Sequence, residues 1–162
     1  MSAPVIGIDP GLSGAIAVIS GNYYAVHDMP VIPAGKGAFV KRAVDLEAVA
    51  RILRESTSVF GKDHVGRVVI ERVNAFPGQG VSSMFSLGMS FYGVAGVAAG
   101  IGLRVDLVGS AEWKRHFELD SDKEKSLTMA RFRFPLVELS RKKDHGRAEA
   151  LLIALYGKET RK

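Results

Sequence analysis

A buried strand that ends on a carboxylate is the feature that most constrains this chain. Residues 5–20 read VIGIDPGLSGAIAVIS, so that an apolar run ends at Asp9, a tight turn follows, and a second apolar run begins. A carboxylate in that place loses hydration, and its burial is costly unless a partner compensates for it. The sequence therefore predicts a strand–turn–strand unit and a partner for Asp9 elsewhere in the chain.

The apolar pattern predicts a single domain over residues 1–162 that contains both strands and helices. Strand patterns occur at residues 4–9, 15–20, 23–29, 67–71 and 103–108. The first three follow one another without a helix between them, which is typical of an antiparallel meander. Strand and helix patterns alternate afterwards. The order predicts an α/β fold with a five-stranded mixed sheet, its first three strands antiparallel, flanked by helices.

Helices are predicted from the 3.6-residue period and from candidate capping residues. Candidate N-caps precede four helical patterns, at Asp45, Ser110, Ser121 and Asp144. A fifth helix is expected over residues 87–103, and Gly157 is expected to end the last one. Residues 29–39 contain two prolines and two glycines, which predicts a loop.

Charge and composition favour an anionic partner. The chain has 22 Lys and Arg against 17 Asp and Glu, a formal charge of +5, and nucleic acid is the first partner to consider. The absence of cysteine excludes disulfides, thiolate catalysis and cysteine-ligated zinc, and it fits a reducing compartment. No basic segment precedes the first apolar run, so we expect no signal peptide.

One uncharged stretch is nearly long enough to span a membrane. It lies between Arg72 and Arg104 and is rich in Gly, Ala and Ser. This composition favours a buried helix and no membrane association. The spacing of Gly93, Gly96 and Gly100 would let another helix approach closely, including one from a second subunit.

Further carboxylates occur at positions that could join Asp9. Glu71 ends the fourth strand, and Asp144 and Glu149 lie at the start of the last helix. If the first and fourth strands are parallel neighbours, Asp9 and Glu71 end at the edge of the sheet where sites form. Mg²⁺ or Mn²⁺ would relieve the repulsion between clustered carboxylates, and two such ions support phosphodiester hydrolysis.

Each of these acids also has a purely structural explanation. Asp9 could open the turn, and Glu71 could pair with Arg72 at the edge of the strand. Asp144 could cap the last helix, and Glu149 could lie on its surface. Their joint occurrence at strand ends and a helix start favours a metal site.

Three blocks resemble the RuvC-type Holliday junction resolvases, particularly the compact bacteriophage versions: IGIDPGLSGAIAV, VVIERV and KKDHGRAEALLIALYG. The resemblance spans nearly the whole chain. It implies a ribonuclease H-like fold and a homodimer that cuts a four-way DNA junction symmetrically with Mg²⁺ or Mn²⁺. It also implies a cytoplasmic protein of a bacterial or phage-infected cell.

The resemblance also implies which residues form the site. Asp9, Glu71 and Glu149 match the catalytic and metal-binding carboxylates. A fourth ligand would fall on Gly146, which has no side chain. We therefore expect Asp144 to supply the missing carboxylate, with His145 as an auxiliary residue.

DNA contacts are predicted beside these acids. The candidates are Arg72, Phe76, Arg141, Lys142, Lys143 and Arg147, and the same basic stretch includes Arg131 and Arg133. Lysine and arginine contacts to phosphates supply most sequence-independent affinity. Phe76 would stack on a base opened at the junction centre. The alternatives are a solvated basic loop and a plain packing role for Phe76, while His27, His64 and His116 show no ligand spacing.

Three other functions stay open on the sequence. GIDPGLSG also resembles the first phosphate loop of the actin-like ATPase fold, but the chain has no second glycine-rich phosphate loop. A non-catalytic junction-binding module and a nuclease for other branched or single-stranded DNA are compatible with the same fold.

Overall fold

The computed structural model describes residues 3–35, 41–60 and 66–160. The strands there are β1 (Val5–Asp9), β2 (Ala15–Ser20), β3 (Tyr23–Asp28), β4 (Val31–Ala34), β5 (Lys41–Val44), β6 (Arg67–Arg72) and β7 (Arg104–Gly109). The helices are α1 (Leu46–Ser58), α2 (Val81–Gly100), α3 (Ser110–His116), α4 (Lys123–Arg133) and α5 (His145–Glu159).

The predicted five-stranded mixed sheet is confirmed, with the strand order β3-β2-β1-β6-β7. β1, β2 and β3 pair antiparallel, whereas β1 with β6 and β6 with β7 pair parallel. Ile8 of β1 lies opposite Ile70 of β6. Asp9 and Glu71, one residue further along these strands, therefore reach the same edge of the sheet.

The two faces of the sheet are covered by different helices. One face packs mainly against α5, and the other packs against α1 and α2. α5 approaches β1 so closely at Gly7 that a Cβ there would overlap the backbone of Ala150 and Ala154. This approach fixes the height of α5 above the strand that ends on Asp9.

A small second sheet lies where the sequence predicts only a loop. β4 and β5 pair antiparallel, with Val31 opposite Val44. The prediction of a loop over residues 29–39 is therefore wrong for β4, and residues 36–40 lie outside the described part of the chain. Pro33 is tolerated because a short, two-stranded sheet leaves a free edge for a residue without an N–H.

The predicted helix ends are confirmed only in part. Asp45 caps α1 by accepting a hydrogen bond from Ala48 N at 3.0 Å. The N-cap of α4 is Asp122 rather than Ser121, and that of α3 is Gly109 rather than Ser110. Gly157 lies inside α5, where a Cβ would overlap Val69, so close packing against the sheet explains this glycine.

α2 is buried on one face only, which corrects the expectation of a buried helix. Its buried residues are Ser90, Phe91, Val94 and Ala98. The opposite face exposes four large apolar side chains, those of Val81, Phe85, Met89 and Tyr92, each at least 59% exposed. Of the helices in the described ranges, α2 alone is long and apolar enough to cross a membrane.

Candidate active site

Three carboxylates come together at the edge of the sheet. Asp9 is the last residue of β1, and Glu71 is the penultimate residue of β6. Glu149 is a buried residue of α5. Each of the first two feels the charge of Glu149. Asp9 and Glu149 line a groove of about 780 Å³, which we call the carboxylate groove. The strand-end acids and Glu149 of the last helix therefore lie within electrostatic reach of one another, and their role as a shared site stays a prediction.

The Asp9 carboxyl is held in an environment that disfavours its charge. Burial, and then the charge of Glu149, raise its pKa from 3.8 to about 6. A hydrogen bond from Gly11 N to Asp9 Oδ1, 3.2 Å long, and the cations Lys123 and Lys114 oppose the rise. The nearby positive charges are therefore too few to stabilise the ionised form of Asp9 fully.

Glu71 shows the same deficit. Burial raises its pKa from 4.5 to about 7, and the charges of Asp9 and Glu149 add to the rise. The indole Nε1 of Trp113 donates a 2.8 Å hydrogen bond to Glu71 Oε2 and partly offsets it. The Trp113 ring is fully buried, so this bond fixes one oxygen of Glu71 and leaves the other for a ligand.

The donor set suits a hard divalent cation, although the carboxylates are not gathered around one point. No three His, Cys, Asp or Glu side chains form a preassembled metal group within the described ranges. Glu149 Oε1 instead lies 3.7 Å from the ammonium of Lys114. Repulsion between unscreened carboxylates accounts for this spread, and Mg²⁺ prefers such oxygen ligands.

His145 also faces the carboxylate groove. Its Nε2 lies 3.1 Å from Glu124 Oε1. Its Nδ1 is buried and makes no hydrogen bond within the part of the chain that the structure describes. An unpaired buried ring nitrogen is costly, so it fits a residue whose partner arrives with metal or substrate.

The raised pKa values predict how pH affects the stability of the metal-free protein. The folded state keeps protons on Asp9 and Glu71 that the unfolded chain has already released. Stability should therefore fall as the pH rises from about 4 to about 8. Between 3.8 and about 6, Asp9 contributes a loss on the order of 3 kcal/mol, at ~1.4 kcal/mol per pH unit.

Urea unfolding in EDTA would measure this, at about pH 5 and about pH 8. Asp9→Asn should gain stability relative to the original protein at the higher pH. Added Mg²⁺ should stabilise the original protein more at the higher pH. A difference between the two proteins that stays constant with pH would contradict the assignment.

Asp144 lies outside the carboxylate group, which corrects the expectation that it completes the site. Its side chain is fully buried and accepts hydrogen bonds from Arg141 N at 2.7 Å and from Arg141 Nε at 2.8 Å. It occupies the N-cap position of α5 without capping it. Both carboxylate oxygens are thus used to hold Arg141, and neither faces the carboxylate groove.

Gly146 shows why no side chain stands at the position of the fourth ligand. A Cβ on Gly146 would overlap the carbonyl oxygen of Ser13 and crowd the backbone of Gly14. The first turn of α5 therefore packs directly on the turn after β1. This close contact brings α5 to the site and excludes a ligand at Gly146.

Two of the arginines predicted to contact DNA, Arg141 and Arg147, are paired with Asp28. The guanidinium of Arg141 donates to both oxygens of Asp28, at 3.0 and 2.8 Å, and Arg147 Nε donates to Asp28 Oδ1 at 2.7 Å. These bonds, led by those from Arg141, lower the pKa of Asp28. Lys143 Nζ lies 3.8 Å from Asp28, and Lys142 is exposed.

The other candidates also fall into two groups, those with a partner within the protein and those exposed to solvent. Arg131 binds the carbonyl oxygen of Leu139, and Arg133 pairs with Glu159. Arg72 is exposed, and Phe76 is 65% exposed in the loop after β6. A packing role for Phe76 is therefore wrong, and its ring is free to meet a ligand.

Three residues near the acids were not predicted as site residues. Trp113 and Lys114 lie on α3, directly after β7, and Lys123 begins α4. The available signal was the parallel strand β7, since its end meets the edge where β1 and β6 end.

Solved RuvC structures match nearly the whole chain. A RuvC structure from Thermus thermophilus is 22% identical, covers 96% of this chain and 93% of that chain, and gives a TM-score of 0.57. T. thermophilus RuvC in complex with Holliday junction substrate is 18% identical, covers 96% and 92%, and gives a TM-score of 0.62. The chain has the RuvC fold. No family model and no curated protein sequence matches it.

The RuvC fold confirms the ribonuclease H-like architecture that the sequence motifs imply. In this chain the fold brings the end of β1, the end of β6 and the first half of α5 to one edge of the sheet. Fold alone does not fix chemistry, so the function depends on the acids and cations at that edge.

Proposed function

We propose that this protein is a single-domain, metal-dependent endonuclease of the cytoplasm that resolves four-way DNA junctions. The observation that carries the proposal is the meeting of Asp9, Glu71 and Glu149 beside a groove that also holds lysines. The RuvC of T. thermophilus that shares the fold has been solved with a Holliday junction substrate. The basic charge of the chain suits the same kind of ligand.

Asp9, Glu71 and Glu149 are the residues that would hold Mg²⁺ or Mn²⁺. When bound, the metal supplies an activated water and stabilises charge on the phosphate oxygens. The protein fixes the position of each ligand through a separate element. Gly11 N orients Asp9, the indole of Trp113 orients Glu71, and Lys114 lies beside Glu149.

The cations of the site would act on the substrate. Lys114 lies among the three carboxylates and Lys123 borders the carboxylate groove, so their ammonium groups can neutralise a phosphate brought to the acids. His145 would orient the strand or accept a hydrogen bond through its unpaired Nδ1. Asp144 would act only by holding the start of α5.

DNA contacts outside the site would come from Lys142, Lys143, Arg72 and the exposed ring of Phe76. Arg141 and Arg147 could contact phosphate only if their ion pairs with Asp28 were broken. We therefore assign both residues a structural role.

A homodimer would place two sites on one junction, as symmetric cutting requires. The exposed face of α2, which carries Val81, Phe85, Met89 and Tyr92, is the surface we assign to this contact. Phe85→Glu should convert the dimer to a monomer in sedimentation experiments. Leu136→Glu, which changes a residue 87% exposed outside this face, should leave the dimer intact. A Phe85→Glu protein that still sediments as a dimer would contradict the assignment.

Cleavage of a labelled, mobile four-way junction tests the proposed function. The protein would be incubated with the junction, the matched duplex and single strand, in Mg²⁺ or in EDTA. We expect paired nicks only in the junction and only with Mg²⁺. Cleavage of other branched DNA would favour the broader nuclease. Tight junction binding without cleavage in Mg²⁺ or Mn²⁺ would replace the enzyme with a junction-binding module.

A further inference from the structure

The carboxylate groove has a second wall that the sequence did not predict. One wall carries Lys143, His145 and Glu149, from the segment before α5 and from α5 itself. The opposite wall is built by β5 and the start of α2. It includes Lys41 and Arg42 together with the hydroxyl groups of three serines: Ser82, Ser83 and Ser86.

The second wall is tied together by a contact between its two elements. Lys41 Nζ donates a 3.3 Å hydrogen bond to Ser82 Oγ. The remaining donors of the Lys41 ammonium are free to bind another acceptor. The small sheet of β4 and β5 is thus held against α2 beside Asp9.

The cations of the second wall are not paired with acids in the described part of the chain. The acidic residues that line the groove are Asp9 and Glu149 alone among the described residues. Lys41 and Arg42 make no ion pair within the described ranges, in contrast to Arg141 and Arg147, which share Asp28. Two exposed cations beside hydroxyl donors form a typical surface for phosphate oxygens.

A buried polar atom also belongs to a residue of this groove. Gln79 Oε1 is buried without a hydrogen-bond partner in the described part of the chain, and Gln79 lines the groove together with the acids and the serines. Such a group is costly unless a ligand or water satisfies it. It is an independent indication that a polar ligand passes along this wall.

We propose that Lys41 and Arg42 bind the phosphodiester backbone of the cleaved DNA strand beside the scissile phosphate. The inference rests on the proposed function and extends it. The metal that Asp9, Glu71 and Glu149 would hold lies at the scissile phosphate, and the strand continues along the wall of β5 and α2. Ser82 and Ser83 donate hydrogen bonds to the same stretch of backbone.

Junction binding in EDTA tests this without cleavage. The double variant Lys41→Gln/Arg42→Gln should bind a fluorescent four-way junction roughly tenfold more weakly. The slope of log affinity against log salt should become shallower by about 1.4 to 1.8, the value for two lost phosphate contacts. The control Arg51→Gln/Arg54→Gln removes the same charge from the exposed face of α1, away from the groove, and should change neither quantity appreciably.

A neutral linkage in the DNA locates the contact. Methylphosphonates would replace single phosphates on either side of the cleavage position. At the contacted position, the neutral linkage should weaken binding of the original protein and add little further loss in the double variant. Additive losses at every position would overturn the inference, as would a double variant that matches its control in affinity and salt slope.

The outcomes separate this inference from the proposed function. If the original protein cuts the junction and the double variant behaves as the control does, the inference fails and the function stands. If the original protein binds no branched DNA, the proposed function fails and the inference fails with it.

Discussion

Glu149→Gln is expected to abolish junction cleavage while leaving junction binding nearly unchanged. The substitution keeps the shape of the side chain and removes the charge that Asp9 and Glu71 both feel. A lost metal ligand removes several kcal/mol of charge stabilisation, so the single-turnover rate in saturating Mg²⁺ should fall at least about 10³-fold.

Two measurements make this result specific. Glu47→Gln removes an exposed acid from the first turn of α1 and should cleave at the original rate. Junction affinity in EDTA should be equal to or slightly higher than that of the original protein, because a negative charge near the phosphate is gone. Glu149→Gln protein that cleaves within about tenfold of the original rate would remove Glu149 from the catalytic set.

Asp144→Ala is expected to destabilise the fold and to spare the chemistry. The substitution leaves Arg141 N and Nε without their acceptor in a site where Asp144 is fully buried. Arg141 keeps its ion pair with Asp28 and is partly exposed, so the main cost is the backbone N–H of Arg141 losing its acceptor, about 1–3 kcal/mol. The urea midpoint should fall accordingly, and Tm should drop by on the order of 5 °C.

The comparison with an exposed ion pair gives the scale of this effect. Asp120→Ala removes the partner of Lys125 at the surface and should leave the urea midpoint almost unchanged. At a temperature where Asp144→Ala protein is folded, it should cleave the junction at close to the original rate. A folded Asp144→Ala protein without cleavage would restore Asp144 to the site.

Local patterns predicted the strands that carry the acids. β1 and β6 contain short apolar runs followed directly by Asp9 and Glu71, and an apolar run with a polar residue after it can be recognised from a few neighbouring residues. The parallel pairing of these strands was a conditional expectation, and it brought the two acids to one edge. The N-cap at Asp45 could also be predicted from local sequence, because its partner Ala48 is three residues away.

The partners of charged groups could not be predicted from the sequence, because they depend on packing between distant segments. Arg141 contacts Asp28 across 113 residues of sequence, and Glu71 contacts Trp113 across 42 residues. A basic run therefore looked like a DNA surface when part of it holds the fold together. The exposed face of α2 was missed because apolar composition does not say which face a neighbour covers.

The sequence by itself determined the sheet, the two strand-end acids and the helix that brings Glu149 to them. Periodicity and chain order encode these features through local interactions. Only the tertiary structure decided that Asp144 serves Arg141, that Lys41 and Arg42 face the carboxylate groove, and that Gly146 is needed for close packing. Such choices depend on which surfaces meet, and the contacts that fix them join residues far apart in the chain.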